Sequence, residues 1–204
     1  GTAYTDQAGI REFFAGIKFP VCFLKAWYHR PAVPLFNGTR PYEKLPFYLS
    51  LRIKKQFNDP VEITHHVFTP EVNPLPEFRE LLAAVMNQFP AVLVYDDPFP
   101  GQFLEASGLN QAHSFFDLHH VFTKNLYYEP KTEGDTRLQS IAAAILNDKQ
   151  VKNDIYHSDI EAATAYKSSL NNTEETVNFW RIMQQTSGQH LELMEALYVF
   201  LAGS

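Results

Sequence analysis

The chain has 204 residues, 45% of them hydrophobic and 14% aromatic, and carries a formal net charge of −6 at pH 7. That is enough apolar material for one α/β domain with a sizeable core, and the wealth of Phe and Tyr excludes a disordered chain. No apolar run is long enough to cross a bilayer, GTAYTDQAGIREFF lacks the basic-then-apolar order of a signal peptide, and the acidic balance weighs against tight duplex binding, whose affinity comes from neutralised phosphates.

The apolar spacing of IREFFAGIKF (10–19) predicts a short lead helix that stops near Pro20. VCFLKAW (21–27) is a compact run of strand formers and reads as a central strand. Within it Cys22, the single cysteine, reads as a buried small hydrophobe; it excludes an internal disulfide and fits a reducing, cytoplasmic setting. RPAVPLFNGTRPYEKLP is a loop, because its prolines remove ladder donors. LPFYLSLRI (45–53) alternates as a second strand and VEITHHVFT (61–69) reads as a third; the short KKQFNDP between them suits antiparallel neighbours. Arg52, Lys54 and Lys55 offer a local basic patch.

LPEFRELLAAVMNQF (75–89) is the clearest helix, with Phe78, Leu81, Leu82, Val85 and Met86 on one stripe and Pro76 suited to a first turn. AVLVYDD (91–97) is a buried strand ending in two aspartates, and FPGQFLEASG is a short helix or turn closed by Gly108. FFDLHHVF (115–122) begins extended and turns helical after Asp117. TRLQSIAAAILND (136–148) is a helix, and segments 159–170 and 173–202 supply two or three more, the last with a capping region at Thr173 and Glu175 or Thr176. Three strands, a helix, a strand, a helix and a candidate fifth strand define an α/β class.

Candidate chemistry is sparse. Asp96 and Asp97 follow a buried strand at its carboxyl end, where α/β sites cluster, and with Asp117 and His119 they form a candidate acidic cluster able to hold a displaced metal. The competing reading is a polar strand-end turn in which Asp97, before Pro98, caps the next turn. His65–His66 and His119–His120 are adjacent pairs; on a strand such neighbours point to opposite faces, and no Cys pair or HExxH frame supports them, so they read as ordinary histidines. His190 shares a helix face with Met194 and not with Glu192. No Ser-His-Asp arrangement, GxGxxG or GKS/T is present. Lys25, in a central strand, requires solvent or a carboxylate partner such as Asp96.

One block adds a family signal. KFPVCFLKAWYHRPAVPLFNGTRPYEKLPFYLSLRI, with FPVCFL, Pro34, Gly38, Arg40, Pro41, Tyr42, Pro46, Phe47, Ser50 and Leu51, resembles the bacterial domain of unknown function 2779 family. AVLVYDDPFP is similar to a family strand of the form VxVYNxxFE, FFDLHHVFTKNLYYEPKTEGD to its DLxxxF…YY.P…G stretch, DIEAATAYKS to the segment before the last helix, and SGQHLELMEALYVFL to the terminal helix. The resemblance spans roughly residues 10–201. It implies a single domain over 1–204 with a ribonuclease H-like mixed sheet and helices on both faces, akin to DEDD-type 3′-to-5′ exonucleases.

Those nucleases hold Mg²⁺ with four carboxylates, the first two lying two residues apart on the first strand so that both face one side. The matching positions here are Lys25 and Trp27, then Pro100 after the fourth strand and His190 on the last helix. With all four acids missing, the resemblance implies a catalytically inactive pseudonuclease with no metal or other cofactor, serving as a binding or structural module. Its partner would be a protein, a second copy, or single-stranded nucleic acid, and not a membrane. The alternative is a divergent exonuclease or phosphodiesterase that uses Mg or Mn at the displaced Asp96, Asp97 and Asp117.

Overall fold

A computed structural model describes residues 2–108, 115–146, 156 and 158–203. The chain opens with a two-residue strand, β1 (Tyr4–Thr5), and a helix, α1 (Gln7–Ala15). Asp6 starts α1 by accepting from the amides of Ala8 and Gly9, so the lead helix sits a turn earlier than the apolar spacing suggests. Three strands follow: β2 (Val21–His29), β3 (Leu45–Lys54) and β4 (Glu62–Val67). Next come α2 (Pro74–Gln88), β5 (Ala91–Val94), α3 (Phe99–Ala106), β6 (Phe115–Asp117), α4 (His119–Thr123) and β7 (Tyr127–Tyr128). Three helices close the chain: α5 (Leu138–Leu146), α6 (Asp159–Ser169) and α7 (Thr173–Ala202).

The main sheet has five strands in the order β4-β3-β2-β5-β6. β2 pairs antiparallel with β3 and parallel with β5, so the sheet is mixed and β2 is its centre. Burial follows the strand period of two. Cys22, Leu24, Ala26 and Tyr28 face Phe78, Leu82, Val85 and Met86 of α2 and Leu104 of α3. Val21 and Phe23, with Ala91 and Leu93 of β5, face Leu191, Met194 and Leu197 of α7 and Ile141 of α5. Helices therefore cover both faces. A third cluster joins Trp27, Phe47 and Tyr48 to Tyr166 of α6 and to Phe179 and Met183 of α7. Fully burying each such large side chain contributes about 1.5–3 kcal/mol.

Several local expectations need correction. α7 is capped by Asn172, whose side-chain oxygen accepts from the amides of Glu174 and Glu175, not by Thr173, Glu175 or Thr176, which lie inside the helix. Segment 173–202 is one unbroken 30-residue helix. α5 runs Leu138–Leu146, and residues 147–148 of the expected helix lie outside the described residues. The pairing of β1 with β7 had no sequence signal, because two-residue strands are too short to show a period. Arg52, Lys54 and Lys55 are not a free basic patch: Arg52 and Lys54 converge on Glu195 of α7, and Lys55 pairs with Glu62. Cys22 is fully buried, and burial pushes its thiol up to about 12. Among the described residues no helix is long and apolar enough to cross a membrane.

Candidate functional site

Lys25 and Trp27 lie two residues apart on β2 and project to the same side of the sheet, as the strand period requires. Together with Tyr95, Tyr156, Asp159 and His190 they line a cleft of about 190 Å³. It lies against the face of β2 and just past the carboxyl end of its parallel neighbour β5, close to the usual place for ligands in open α/β sheets.

The centre of this cleft is a cation. Lys25 Nζ donates to Asp159 Oδ1 at 3.0 Å and stands 4.4 Å from the centroid of the Trp27 ring. The expectation that a central-strand lysine needs a carboxylate is met, but the partner is Asp159 at the start of α6, not Asp96. Trp27 is held in turn by a buried hydrogen-bond chain. Its Nε1 donates to Ser187 Oγ (3.2 Å), Ser187 Oγ donates to Ser50 Oγ (2.7 Å), and Ser50 Oγ meets His65 Nδ1 at 2.9 Å. Both serines are fully buried. His190 packs edge-on to Trp27 at 6.4 Å, and its buried Nε2 has no hydrogen-bond partner among the described residues. Burial, helped by the charge on Lys25, holds this imidazole well below its usual range, so it is neutral.

Three of the four positions singled out by the resemblance, Lys25, Trp27 and His190, therefore meet in one cleft. Pro100 does not join them; it is buried near the start of α3 and lies outside the cleft lining. As a magnesium site the arrangement does not fit. Mg²⁺ wants oxygen donors in octahedral array, and beside an ammonium, an indole and an imidazole the cleft has two carboxylates, Asp159, engaged by Lys25, and Asp96, turned to His119, with no third acid gathered among the described residues.

Asp96, Asp97, Asp117 and His119 are brought near one another but turned apart. Asp96 has a left-handed backbone (φ 50°), which aspartate tolerates, and its exposed carboxylate lies 3.4 Å from His119 Nδ1. Asp97 turns inward instead: it accepts from the Tyr28 hydroxyl at 3.0 Å, lies 3.5 Å from Lys44 Nζ, and receives the Phe99 amide at 3.4 Å. Burial raises the Asp97 carboxyl, and the opposing pull of Lys25, Lys44 and the Tyr28 hydroxyl does not cancel it. Asp117 Oδ1 accepts from the backbone amides of Asp96 and His119; burial raises this carboxyl too, against those two bonds. Among the described residues no three His, Cys, Asp or Glu side chains gather as a divalent ion requires.

The histidine pairs divide. His65 and His66 do point apart, to Ser50 and to Glu77 respectively. His119 and His120 begin a helix, not a strand; His119 Nε2 meets Thr136 Oγ1 at 2.8 Å, while His120 is exposed. Sequence reasoning missed Asp159, Ser187 and Lys44 as partners. Only Asp159 had a local cue, since Ser158 before it has the character of a helix cap and accepts from the Glu161 amide.

Fold and cleft together define a mixed-sheet α/β domain with a polar cleft at the strand ends. A family model described as "Domain of unknown function (DUF2779)" matches residues 29–137, more than half of the chain, and the chain belongs to that family. The match takes in β3 through β6 with Asp96, Asp97, Pro100, Asp117 and His119; it is narrower than the resemblance over 10–201 and stops short of Lys25, Trp27 and His190. No curated protein and no solved structure matches the chain.

Proposed function

We propose that the chain is a binding module built on a ribonuclease H-like exonuclease scaffold whose metal chemistry has been lost. The chain order of three strands, helix, strand, helix and strand, with helices on both faces of a mixed sheet, supports the scaffold. One observation carries the loss of chemistry. On the first strand of the main sheet, where such enzymes need two carboxylates on one face, the cleft presents the Lys25 ammonium, paired with Asp159 and set against Trp27. A fixed cation at that point repels a divalent ion, and the lining's two carboxylates, Asp159 and Asp96, are each engaged with a neighbour. The ligand is a single strand of nucleic acid, held by aromatic faces and a few cations, or a protein surface, a second copy of the chain included.

The test has two arms. Incubation with single- and double-stranded DNA and RNA, with Mg²⁺ or Mn²⁺, is expected to give no cleavage above buffer. Cleavage that disappears in Asp96→Asn, Asp97→Asn or Asp117→Asn would establish the divergent nuclease instead. A fluorescence titration with short single-stranded oligonucleotides at two salt concentrations then separates the ligands. Salt-sensitive binding assigns nucleic acid, and no binding assigns a protein surface.

A further inference from the structure

A second cavity adjoins the cleft and has a different charge balance. It holds about 350 Å³ and lies between the carboxyl end of β2 and one face of α6 from Asp159 to Lys167. That volume is at the lower end of the ~300–1,000 Å³ typical of small-molecule pockets. Tyr28, Arg30, Asp159, Ile160, Ala163 and Lys167 line it. The helical period explains the α6 contribution: Ile160, Ala163 and Lys167 are spaced by three and four residues and form one stripe. Arg30 follows the last residue of β2 directly, so the strand end delivers it to the opposite wall.

The charges do not cancel. Asp159 is taken up by Lys25 in the neighbouring cleft. The Asp97 carboxylate nearby is taken up by Lys44 and the Tyr28 hydroxyl. Arg30 and Lys167 are exposed, and neither makes an ion pair or side-chain hydrogen bond among the described residues. Two uncompensated cations thus face one space whose remaining wall is Asp159, already paired, Thr164, and the apolar Ile160, which is 79% exposed, and Ala163. A carboxylate would neutralise one of them. A terminal phosphate carries a charge of about −1.5 to −2 at neutral pH and offers three acceptor oxygens, enough for both an arginine fork and a lysine point charge.

We propose that this cavity binds a phosphomonoester, with Arg30 and Lys167 gripping the phosphate and Ile160 and Ala163 covering the attached organic group. Two sources share that chemistry: a free small phosphomonoester and the phosphorylated end of a nucleic-acid strand. The cavity shares Asp159 with the cleft but includes none of Lys25, Trp27, Pro100 and His190, so its failure leaves the cleavage arm of that test unaffected.

The test is calorimetric titration of the intact chain with phenyl phosphate, and with phenyl methyl phosphate as the singly charged diester. Saturable binding of the monoester is expected, about tenfold tighter than the diester and weakened about tenfold by Arg30→Gln or Lys167→Gln. Lys55→Gln, which removes a surface cation elsewhere, is expected to change nothing. Both cavity cations are exposed, so near-UV circular dichroism should show the variants folded as the parent. A 5′-phosphorylated short oligonucleotide that outcompetes both its 5′-hydroxyl twin and phenyl phosphate assigns a strand end; a free monoester that matches it assigns a small molecule. The proposal is overturned if phenyl phosphate does not bind saturably, or if it binds the Arg30→Gln and Lys167→Gln variants as well as the parent.

Discussion

Lys25 and Asp159 stand 134 positions apart in the chain, yet their charged atoms lie 3.0 Å apart in the cleft. The relationship is lopsided, because the Lys25 side chain is 10% exposed and that of Asp159 is 42% exposed. Losing the aspartate strands a mostly buried ammonium, whereas losing the lysine leaves a carboxylate that water can reach.

Asp159→Asn is therefore expected to cost about 1–2 kcal/mol, reduced from the usual cost of breaking a buried pair by the exposure of Asp159. Lys25→Met, which keeps the volume against Trp27 and removes the charge, is expected to be near neutral or slightly stabilising. Urea unfolding of the two variants checks the order; a larger loss for Lys25→Met than for Asp159→Asn would refute the asymmetry.

Ser187→Ala tests the buried hydrogen-bond chain. It deprives Trp27 Nε1 of its acceptor and Ser50 Oγ of its donor in a fully buried place. The expected cost is about 2 kcal/mol, since an unmade buried hydrogen bond carries the full desolvation penalty. Ser50→Ala should cost less on the His65 side, because that ring is only half-buried and water can replace the lost partner. Denaturant midpoints of the two variants supply the comparison.

Glu195 joins two largely buried cations, with Arg52 Nε at 2.5 Å and Lys54 Nζ at 2.6 Å. Burial alone would raise its carboxyl, but the hydrogen bonds from Lys54 and Arg52 outweigh it and bring the carboxyl below its ordinary value. A carboxylate with a lowered folded pKa contributes stability that is present above the unfolded value and lost as pH falls. Glu195→Gln should cost about 2–4 kcal/mol at pH 7, with a smaller difference from the parent near pH 3, as read from thermal midpoints at the two pH values.

Neutral histidines, His29 and His190 foremost, set the acid response, and burial lowers His65 in the same sense. Burial, with the charge on Lys167, lowers His29 to about 4; burial, with the charge on Lys25, lowers His190 well below the ordinary range. Between the unfolded value near 6.5 and those lowered values, the unfolded chain binds more protons than the folded one, so stability falls as pH drops from about 6.5 toward 4. The raised carboxyls Asp97 and Asp117 act in the opposite sense. Urea midpoints should decline between pH 7 and pH 5 in the parent and decline less in His29→Gln and His190→Gln. Equal slopes in all three proteins would show that these rings do not govern the response.

The parts of the fold that were legible from residues alone are those with long, uninterrupted periods. β2, β3 and α2 came within two residues of their bounds because their apolar patterns run through whole elements. The β6-to-α4 switch after Asp117 agrees with the expected passage from extended to helical chain. Partners were not legible. The burial rule says that Lys25 needs a carboxylate, but choosing Asp159 over Asp96 depends on the left-handed turn at Asp96, which swings that side chain outward to His119. The same turn separates Asp96 from Asp97, so two adjacent acids that look like one cluster in the sequence serve different neighbours. The charges of Arg52 and Lys54 looked free because their common partner, Glu195, is more than 140 residues away on α7.

α7 packs against β2, β3, α1, α5 and α6, and supplies residues to two of the three apolar clusters. It is also the last of these elements to leave the ribosome. During synthesis the sheet can gain α2 and α3 on one side early, while Val21, Phe23 and Trp27 on the other side wait uncovered for residues 179–201. Translation stalled before Thr173 would leave a half-clad sheet with its apolar side open to chaperones and to other stalled copies.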